Sequence, residues 1–434
     1  MEQIKKLFRK LKSKSIIKNI VVLVSGTMAA QVITLLTTPL ITRLFGPEII
    51  GELGTFTSIT EIIIPIAALA YPIAIVLPKH DIVAIKLIKL SVVIALILSV
   101  ISLMLILILN SINLFDGMDT LNIALYFIPL VIIFSSLLQV SEQWLIRKKA
   151  FYITAKTNFL YSSLFNTSKI VLGLINPVSI GLIVVTTLGQ LLKATMLSLN
   201  NKNNIINSYR IYTGNNEISI WLVGKKYKDF ALFRSPQMLL HATSLSLPVL
   251  LLLNFFGPAA VGFYTISRTA LNAPIQLIGK AVGDVFYPRI SEAANNQENL
   301  YKLIYKATLL LGCVGIIPFS IIIIFGPTIF EFAFGHDWTK AGSYSQWMAI
   351  WMFFLFINQP SIRALPVLKA QKFHLVFTFF SLIVNTLGIV ISYHYFKSDI
   401  ISVAVFSLTG SLSNILLIII TLVISKNIKR GFLE

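Results

Sequence analysis

The chain has 434 residues, of which 56% are hydrophobic and only 12% charged, and its mean hydropathy is +0.83. A soluble domain needs far more charge to cover its surface, so this composition excludes a water-soluble globular protein. The net charge of +19 is then read as membrane topology rather than nucleic-acid binding, and the single Cys313, set in an apolar run, excludes a disulfide framework and a Cys-based metal site.

Residues 1–16 read as a basic, amphipathic cytoplasmic segment, with Ile4, Leu7, Phe8 and Leu11 on one helical face and lysines around the other. Such a helix fits an anionic lipid surface. Plain topology signalling by the same lysines is the alternative. The apolar run 20–41 is too long for a cleavable signal, and more spans follow it.

Runs able to cross roughly 30 Å of hydrocarbon recur to the end of the chain. The expected spans are 17–42, 50–77, 87–110, 121–143, 157–175 and 178–199, then 231–254, 261–287, 304–325, 343–362, 373–394 and 400–424. The fold class is therefore an all-α polytopic membrane protein with about twelve transmembrane helices. Residues 17–199 form an N-terminal six-helix half and 231–425 a C-terminal one. A basic, Asn-rich cytoplasmic linker, 200–230, joins them, and 426–434 is a cytoplasmic tail. Spans 2, 8 and 11 are expected to be tilted or kinked, with Pro65 and Pro72 interrupting span 2 and Pro274 interrupting span 8.

The basic residues support this map. Thirty of the 36 Lys and Arg fall on one side of it; only Arg43, Lys340 and Lys397 fall on the other, and Lys169, Arg268 and Lys280 lie within spans. An even number of spans with both termini in the cytoplasm follows from the excess of positive charge in inner loops. An internal repeat divides the spans: Phe45-Gly46-Pro47 with Gly51 follows span 1, and Phe256-Gly257-Pro258 with Gly262 follows span 7, 211 residues later. Ile146-Arg147 after span 4 and Ile362-Arg363 after span 10 form a second echo. Each half starts inside, so a pseudo-twofold along the membrane normal is expected. Chance is the rival explanation, since Phe-Gly-Pro recurs at Phe325.

Polar residues in a span are costly unless they meet a partner or water; a central charge costs roughly 2.5–3.5 kcal/mol on insertion scales. Span 8 carries Thr265, Arg268, Thr269, Asn272, Gln276, Lys280 and Asp284 on one broad face, opposite Leu271, Ile278, Val282 and Val285. Span 1 adds Thr27, Gln31, Thr34, Thr38 and Thr42; span 5 adds Asn158, Ser162, Asn166 and Lys169. Gln237, His241 and Ser244 stand in span 7, and Ser58 and Glu61 in span 2. A shared polar cavity is the economical reading, with Arg268, Lys169, Lys280, Asn272, Gln276 and Gln31 as substrate-binding candidates. Glu61, His241 and Asp284 are candidates for ion coupling.

Bland readings stand beside these. Lys280 and Asp284, spaced i,i+4, also fit a self-neutralising structural pair, His241 fits a packed residue, and Ser/Thr stripes fit helix glue. Asp116 and Asp119 read as a hydrated turn, and His80, His336, His374 and His394 are scattered without ligand spacing. No catalytic constellation, P-loop, metal site or cofactor site is expected, so the chain reads as a non-enzyme without a built-in ATPase.

Three stretches carry a family resemblance: Arg43-Leu44-Phe45-Gly46-Pro47-Glu48 through Gly51; Gly262-Phe263-Tyr264 with Tyr287-Pro288-Arg289-Ile290-Ser291; and Gln143 to Phe151. They resemble the Wzx-type oligosaccharide flippases of the superfamily that includes MATE exporters and lipid II flippases. The resemblance implies movement of an undecaprenyl-diphosphate-linked O-antigen or capsular repeat across the bacterial inner membrane. It also implies alternating access and partnership with other membrane proteins of polysaccharide assembly. It places Arg268 where relatives use a cavity cation, and Tyr264 with Thr, Asn and Gln as sugar contacts. Lipid II flippases have fourteen spans, so twelve argues against a peptidoglycan role. A MATE-type multidrug or cation antiporter is the rival reading, and a polysaccharide polymerase a more distant one, because its large outer loop has no counterpart here.

Overall fold

The computed structural model describes residues 25–112, 119–199 and 219–431. The amphipathic segment 1–16, Asp116 and most of the expected linker lie outside the described residues. All regular structure among the described residues is helical. In chain order the helices are α1 (25–44), α2 (Pro47–Ile63), α3 (Tyr71–Ala74), α4 (Asp81–Ser111), α5 (Asp119–Leu125), α6 (Ile128–Arg147), α7 (Phe151–Ile175) and α8 (Ser179–Leu199). They continue as α9 (Ile220–Lys226), α10 (Ser235–Phe256), α11 (Pro258–Pro274), α12 (Lys280–Asn295), α13 (Leu300–Phe334), α14 (Thr339–Ile357), α15 (Gln359–Ala364), α16 (Gln371–Phe396) and α17 (Asp399–Gly431). Wide π turns at Phe230–Arg234 and Ile275–Gly279 precede α10 and α12.

Every expected span has a helix or a broken helix at its place, and this is a polytopic membrane protein. Seven helical stretches among the described residues are long and apolar enough to cross a membrane unaided: Asp81–Ser111, Asn122–Arg147, Ser179–Leu199, Phe230–Phe256, Leu300–Phe334, Gln371–Phe396 and Asp399–Lys426. Those outside this set (α1, α2, α7, α11–α12 and α14) include every span on which candidate site residues fall, His241 on α10 excepted. α2 and Pro258–Pro274 are only 17 residues long, and α1 and α7 carry strips of Thr, Ser, Asn and Gln. Span 11, expected to be tilted or kinked, is the uninterrupted α16, without a break, and the tail from 426 continues α17 as helix to Gly431.

The chain divides into two compact units, one of Phe56–Thr243 with the residues before Phe45, the other of Phe45–Thr55 with the residues from Ser244 on. The first is built on Tyr71, Ile85, Leu87, Leu90, Val140, Trp144 and Val223. The second has a core of Tyr264, Leu271, Phe319, Tyr344, Met348, Met352, Phe356 and Phe406 and a smaller cluster around Phe286, Ile290, Ile304 and Leu368. Lipid tails are as apolar as these side chains, so close packing and hydrogen bonds, rather than exclusion of water, hold such helices together.

Span 2 breaks where its prolines require. After Ile63 the chain runs through tight i−3 turns, among them Ile66 N to Ile63 O at 3.0 Å and Leu69 N to Ile66 O at 3.1 Å. Leu69 and Ala70 adopt left-handed φ of 48° and 57° before α3 begins. Carbonyls exposed by such a break need donors. Gln139 donates to Ile64 O at 3.4 Å and Ser235 to Pro65 O at 3.2 Å. Arg147 donates to Ile75 O at 3.1 Å, to Pro78 O at 2.6 Å and to the Asp81 carboxylate at 2.7 and 2.9 Å. Lys148 closes the cluster on the other Asp81 oxygen. Sequence reasoning took Arg147 as a topology charge and as part of the Ile-Arg echo; the signal it missed was Asp81, an acid among basic residues just past two prolines.

The repeat is structural at one end and shifted at the other. Pro47 and Pro258 each open a helix, and Gly51 and Gly262 lie where those helices touch: a Cβ on Gly51 would collide with the Pro258 carbonyl, and one on Gly262 with the Pro47 carbonyl. Phe325-Gly326-Pro327 lies inside α13 and opens no helix. The second echo is not Ile-Arg. Lys149 (φ 55°) and Lys369 (φ 56°) close the turns that follow α6 and α15 in the same left-handed conformation. Ala150 and Ala370 then donate back to Leu145 O and Leu365 O, both at 2.9 Å. The repeated unit is Leu-x-x-x-Lys-Ala, and Arg363 lies earlier, within α15.

Two outcomes are expected from thermal unfolding of the purified protein in detergent. Gly262→Ala must displace backbone and should lower the midpoint or the folded yield, whereas Gly46→Ala, with nothing within 4 Å of its Cβ, should leave both unchanged. Arg147→Ala should cost roughly 2–4 kcal/mol, with Arg147→Lys recovering only part, because one ammonium cannot reach both carboxylate and carbonyls.

Candidate functional site

In the first unit the polar strips of α1 and α7 meet. Ser162 donates to Ala30 O at 2.9 Å and lies 3.2 Å from the Thr34 hydroxyl. Asn166 donates to Ser162 O at 2.8 Å and reaches Thr34 Oγ1 at 3.4 Å. Small residues permit this approach, since a Cβ on Gly26 would lie 2.6 Å from that of Ala155. Ser162 and Asn166 are buried by the contact, while Gln31, three residues before Thr34, stays half-buried beside it.

Lys169 stands one turn beyond Asn166, with Nζ 4.2 Å from the centre of the Phe165 ring. Phe165 stacks on Tyr161 at 5.1 Å, and Lys193 lies 5.9 Å from the Tyr161 ring while pairing with Glu142 at 2.8 Å. Two stacked rings thus carry a lysine at each end, and the quadrupole of the ring supplies Lys169 with modest cation–π stabilisation. Glu61 and His241, also in this unit, are exposed on it.

In the second unit, Arg268 is half-buried on α11, and its Nη1 donates to Leu245 O at 3.3 Å, three residues before Pro248 interrupts the α10 ladder. Ser267, one position away, is buried and fixes α11 to α14 through Ala341 O at 2.6 Å. Asn272 and Gln276 continue the Arg268 strip, half-buried and exposed.

The expected face of span 8 does not survive intact. Pro274 lacks the N–H of the helical ladder, and the helix answers with the π turn Ile275–Gly279. A turn of five-residue bonds holds about one extra residue, so everything after it rotates relative to an unbroken α-helix. Ile278, expected on the apolar face with Leu271, is 38% exposed while Leu271 is buried. The strip of Thr265, Arg268, Thr269, Asn272 and Gln276 is therefore one surface, and Lys280 and Asp284 begin a helix of different phase whose side chains there lie outside the described residues. Tyr264 is also not on the open strip: it is 1% exposed, with its ring 6.3 Å from that of Phe406 in the core.

Candidate residues thus form two sets. Lys169 and Gln31 flank the α1–α7 network, with Glu61 and His241 elsewhere on that unit; Arg268, Asn272 and Gln276 share a strip on the other. Among the described residues no group of three or more His, Cys, Asp or Glu comes together. What each set offers is a cation beside neutral amides and hydroxyls, suited to an anion carrying many hydroxyl groups. The α1–α7 network is testable by itself: Asn166→Leu should cost about 1–2 kcal/mol in thermal unfolding, and Ser162→Ala less.

A profile of the polysaccharide biosynthesis protein family matches residues 40–343. Among solved structures the chain is similar to an inward-facing multidrug-resistance MATE transporter of the MOP superfamily, at 14% identity and TM-score 0.68, over 94% of this chain and 99% of that one. It is similar to the lipid II flippase MurJ in an inward closed conformation, at 15% identity and TM-score 0.70, over 94% and 90%. It is also similar to a MOP-superfamily transporter from Pyrococcus furiosus, at 14% identity and TM-score 0.64, over 96% of each. No curated relative matches the chain. At these identities the structural likenesses show the fold, which is that of MOP-superfamily transporters.

Proposed function

The chain belongs to the polysaccharide biosynthesis protein family, and from that premise we propose that it is a flippase for undecaprenyl-diphosphate-linked oligosaccharide units, an O-antigen or capsular repeat. The observation that carries the reading is Arg268, a cation well inside a membrane helix, on a strip otherwise made of Thr265, Thr269, Asn272 and Gln276. An oligosaccharide would lose many hydrogen bonds in hydrocarbon, at several kcal/mol for each group left unpaired. Such a strip replaces those bonds while the polyprenyl tail remains in lipid.

Arg268 on its strip and Lys169 on its own are the cations offered to a diphosphate, with Lys280 as a further one. Asn272, Gln276 and Gln31 contact sugar without demanding one stereochemistry, and Glu61, His241 and Asp284 are the groups through which an ion would couple. The protein works by alternating access in the bacterial inner membrane, with both termini cytoplasmic as the distribution of basic residues directs. The cargo moves from the cytoplasmic to the periplasmic leaflet. Outward movement of an anion is favoured by an inside-negative potential, by roughly 2.3 kcal/mol per charge per 100 mV. A cation antiporter on the same fold needs carboxylates on this strip, and its five described polar residues include none.

Arg268→Ala should reduce surface polysaccharide at least tenfold and leave lipid-linked units on the inner leaflet, with the protein still in the membrane; Arg268→Lys should retain part of the activity. The checks are surface polysaccharide by gel and inner-leaflet lipid-linked sugar by mass spectrometry. Full export by Arg268→Ala would remove the residue from the site. Flipping in vesicles unchanged when potential and ion gradients are collapsed would overturn the energetic scheme.

A further inference from the structure

Within the first unit, the end of the expected linker forms a surface that the transport reading leaves unused. α9 buries Val223 and Gly224 and turns Trp221 and Leu222 outward, at 82% and 64% exposed. It is fixed in place: Tyr71 donates to Gly224 O at 3.2 Å, and a Cβ on Gly224 would lie 3.2 Å from Leu90 Cδ2. Leu90 belongs to the first turns of α4, and the π turn after α9 leads directly into α10. α9 therefore lies where two membrane-crossing helices, Asp81–Ser111 and Phe230–Phe256, begin.

The same short stretch carries Lys225, Lys226, Lys228 and Arg234, all exposed, against a single Asp229. Leu232 and Phe233 are 59% and 71% exposed beside them. Between Asp229, Phe230, Phe233, Arg234 and Gln237 is a cavity of about 290 Å³, its one acid outnumbered by the cations around it. Gln237 accepts from Arg234 Nη1 at 2.9 Å, which orients the guanidinium at the cavity edge.

We infer that residues 219–237 form a docking site for anionic phospholipid, with the headgroup phosphate on Arg234 and the three lysines and an acyl chain over Phe230 and Phe233. Charge complementarity selects this occupant: four cations surround one acid. A fully exposed Trp next to Leu and Phe is the composition of the bilayer interface, where indole and aliphatic groups sit at headgroup depth and lysines reach outward to phosphate. A neutral lipid satisfies the apolar half of the surface only, and an inorganic anion only the basic half. Because α9 hydrogen-bonds Tyr71, the site bears on the broken span 2, and it stands independently of which cargo is carried.

The test places an environment-sensitive fluorophore at Ser219→Cys on a Cys313→Ser background, using the full chain in phosphatidylcholine vesicles. Spin-labelled phosphatidylglycerol should quench it at least threefold more than spin-labelled phosphatidylcholine at equal mole fraction. Lys225→Gln with Lys226→Gln and Lys228→Gln should bring that ratio to one, while arginine at the same three positions should preserve it. Should the glutamine variant not fold, about 0.5 M salt on the parent protein gives the same reading, since it screens exposed charge beyond a few Å. Equal quenching by the two lipids, a ratio indifferent to lysine removal and salt, or a ratio erased by millimolar inorganic phosphate would each overturn the proposal.

Discussion

A peptide group in hydrocarbon has no water to fall back on, and the architecture of this protein follows from that constraint. Where apolar side chains run without interruption, as on α4 and α16, the helical ladder satisfies the backbone and the surface is left to lipid. Where proline removes a donor, some other group must reach the freed carbonyl. Arg147, Gln139 and Ser235 donate to carbonyls around the break in span 2, and after Pro274 the helix widens into the π turn Ile275–Gly279. Many span hydroxyls bond back along their own helices, as Thr38 does to Thr34 O at 2.6 Å and Thr421 to Leu417 O at 2.7 Å. Hydroxyls used in this way need no cavity, so a Ser/Thr stripe by itself carries little functional information.

The spans of weak hydropathy are therefore the informative ones. α1 and α7 unite their polar faces through Ser162, Thr34 and Asn166, and α11 fixes one side to α14 through Ser267 while turning Arg268, Asn272 and Gln276 elsewhere. Each candidate polar surface is thus backed by a rigid contact made by immediate neighbours in sequence. Such backing holds long, entropically costly side chains near one geometry without consuming their hydrogen-bonding capacity.

The existence and order of the spans were legible because apolar runs of membrane length admit few other readings. The Phe-Gly-Pro repeat was legible because proline opens helices and glycine permits carbonyl contact, both local properties. What depended on tertiary context was not. The face of span 8 was drawn on an ideal 100° wheel, and the π turn at Ile275–Gly279 breaks that wheel halfway, carrying Ile278 to the surface. Tyr264 shares a turn with Arg268 yet is directed into the core by Phe406, a residue more than 140 positions away. The Ile-Arg echo matched letters, whereas the structural repeat is set by the left-handed lysines 149 and 369.

The quality of their partners sorts the cations by role. Arg147 has its donors engaged by a carboxylate and several carbonyls, two of them at 2.7 Å or less, and its side chain is only 9% exposed. Displacing those partners for a ligand would reopen the carbonyls of a broken span, so Arg147 belongs to the scaffold. Among the described residues, Arg268 meets a neutral carbonyl at 3.3 Å, and Lys169 an aromatic face at 4.2 Å. A phosphate oxygen is a stronger acceptor than either, with charge-assisted bonds roughly twice as strong as neutral ones. A site that binds an anion and then releases it needs cations held by partners weak enough to yield and present enough to limit the cost of standing empty. The partners of Arg268 and Lys169 are of that weaker kind, which supports the proposal for each residue on its own unit, and the contrast with Arg147 rests on geometry.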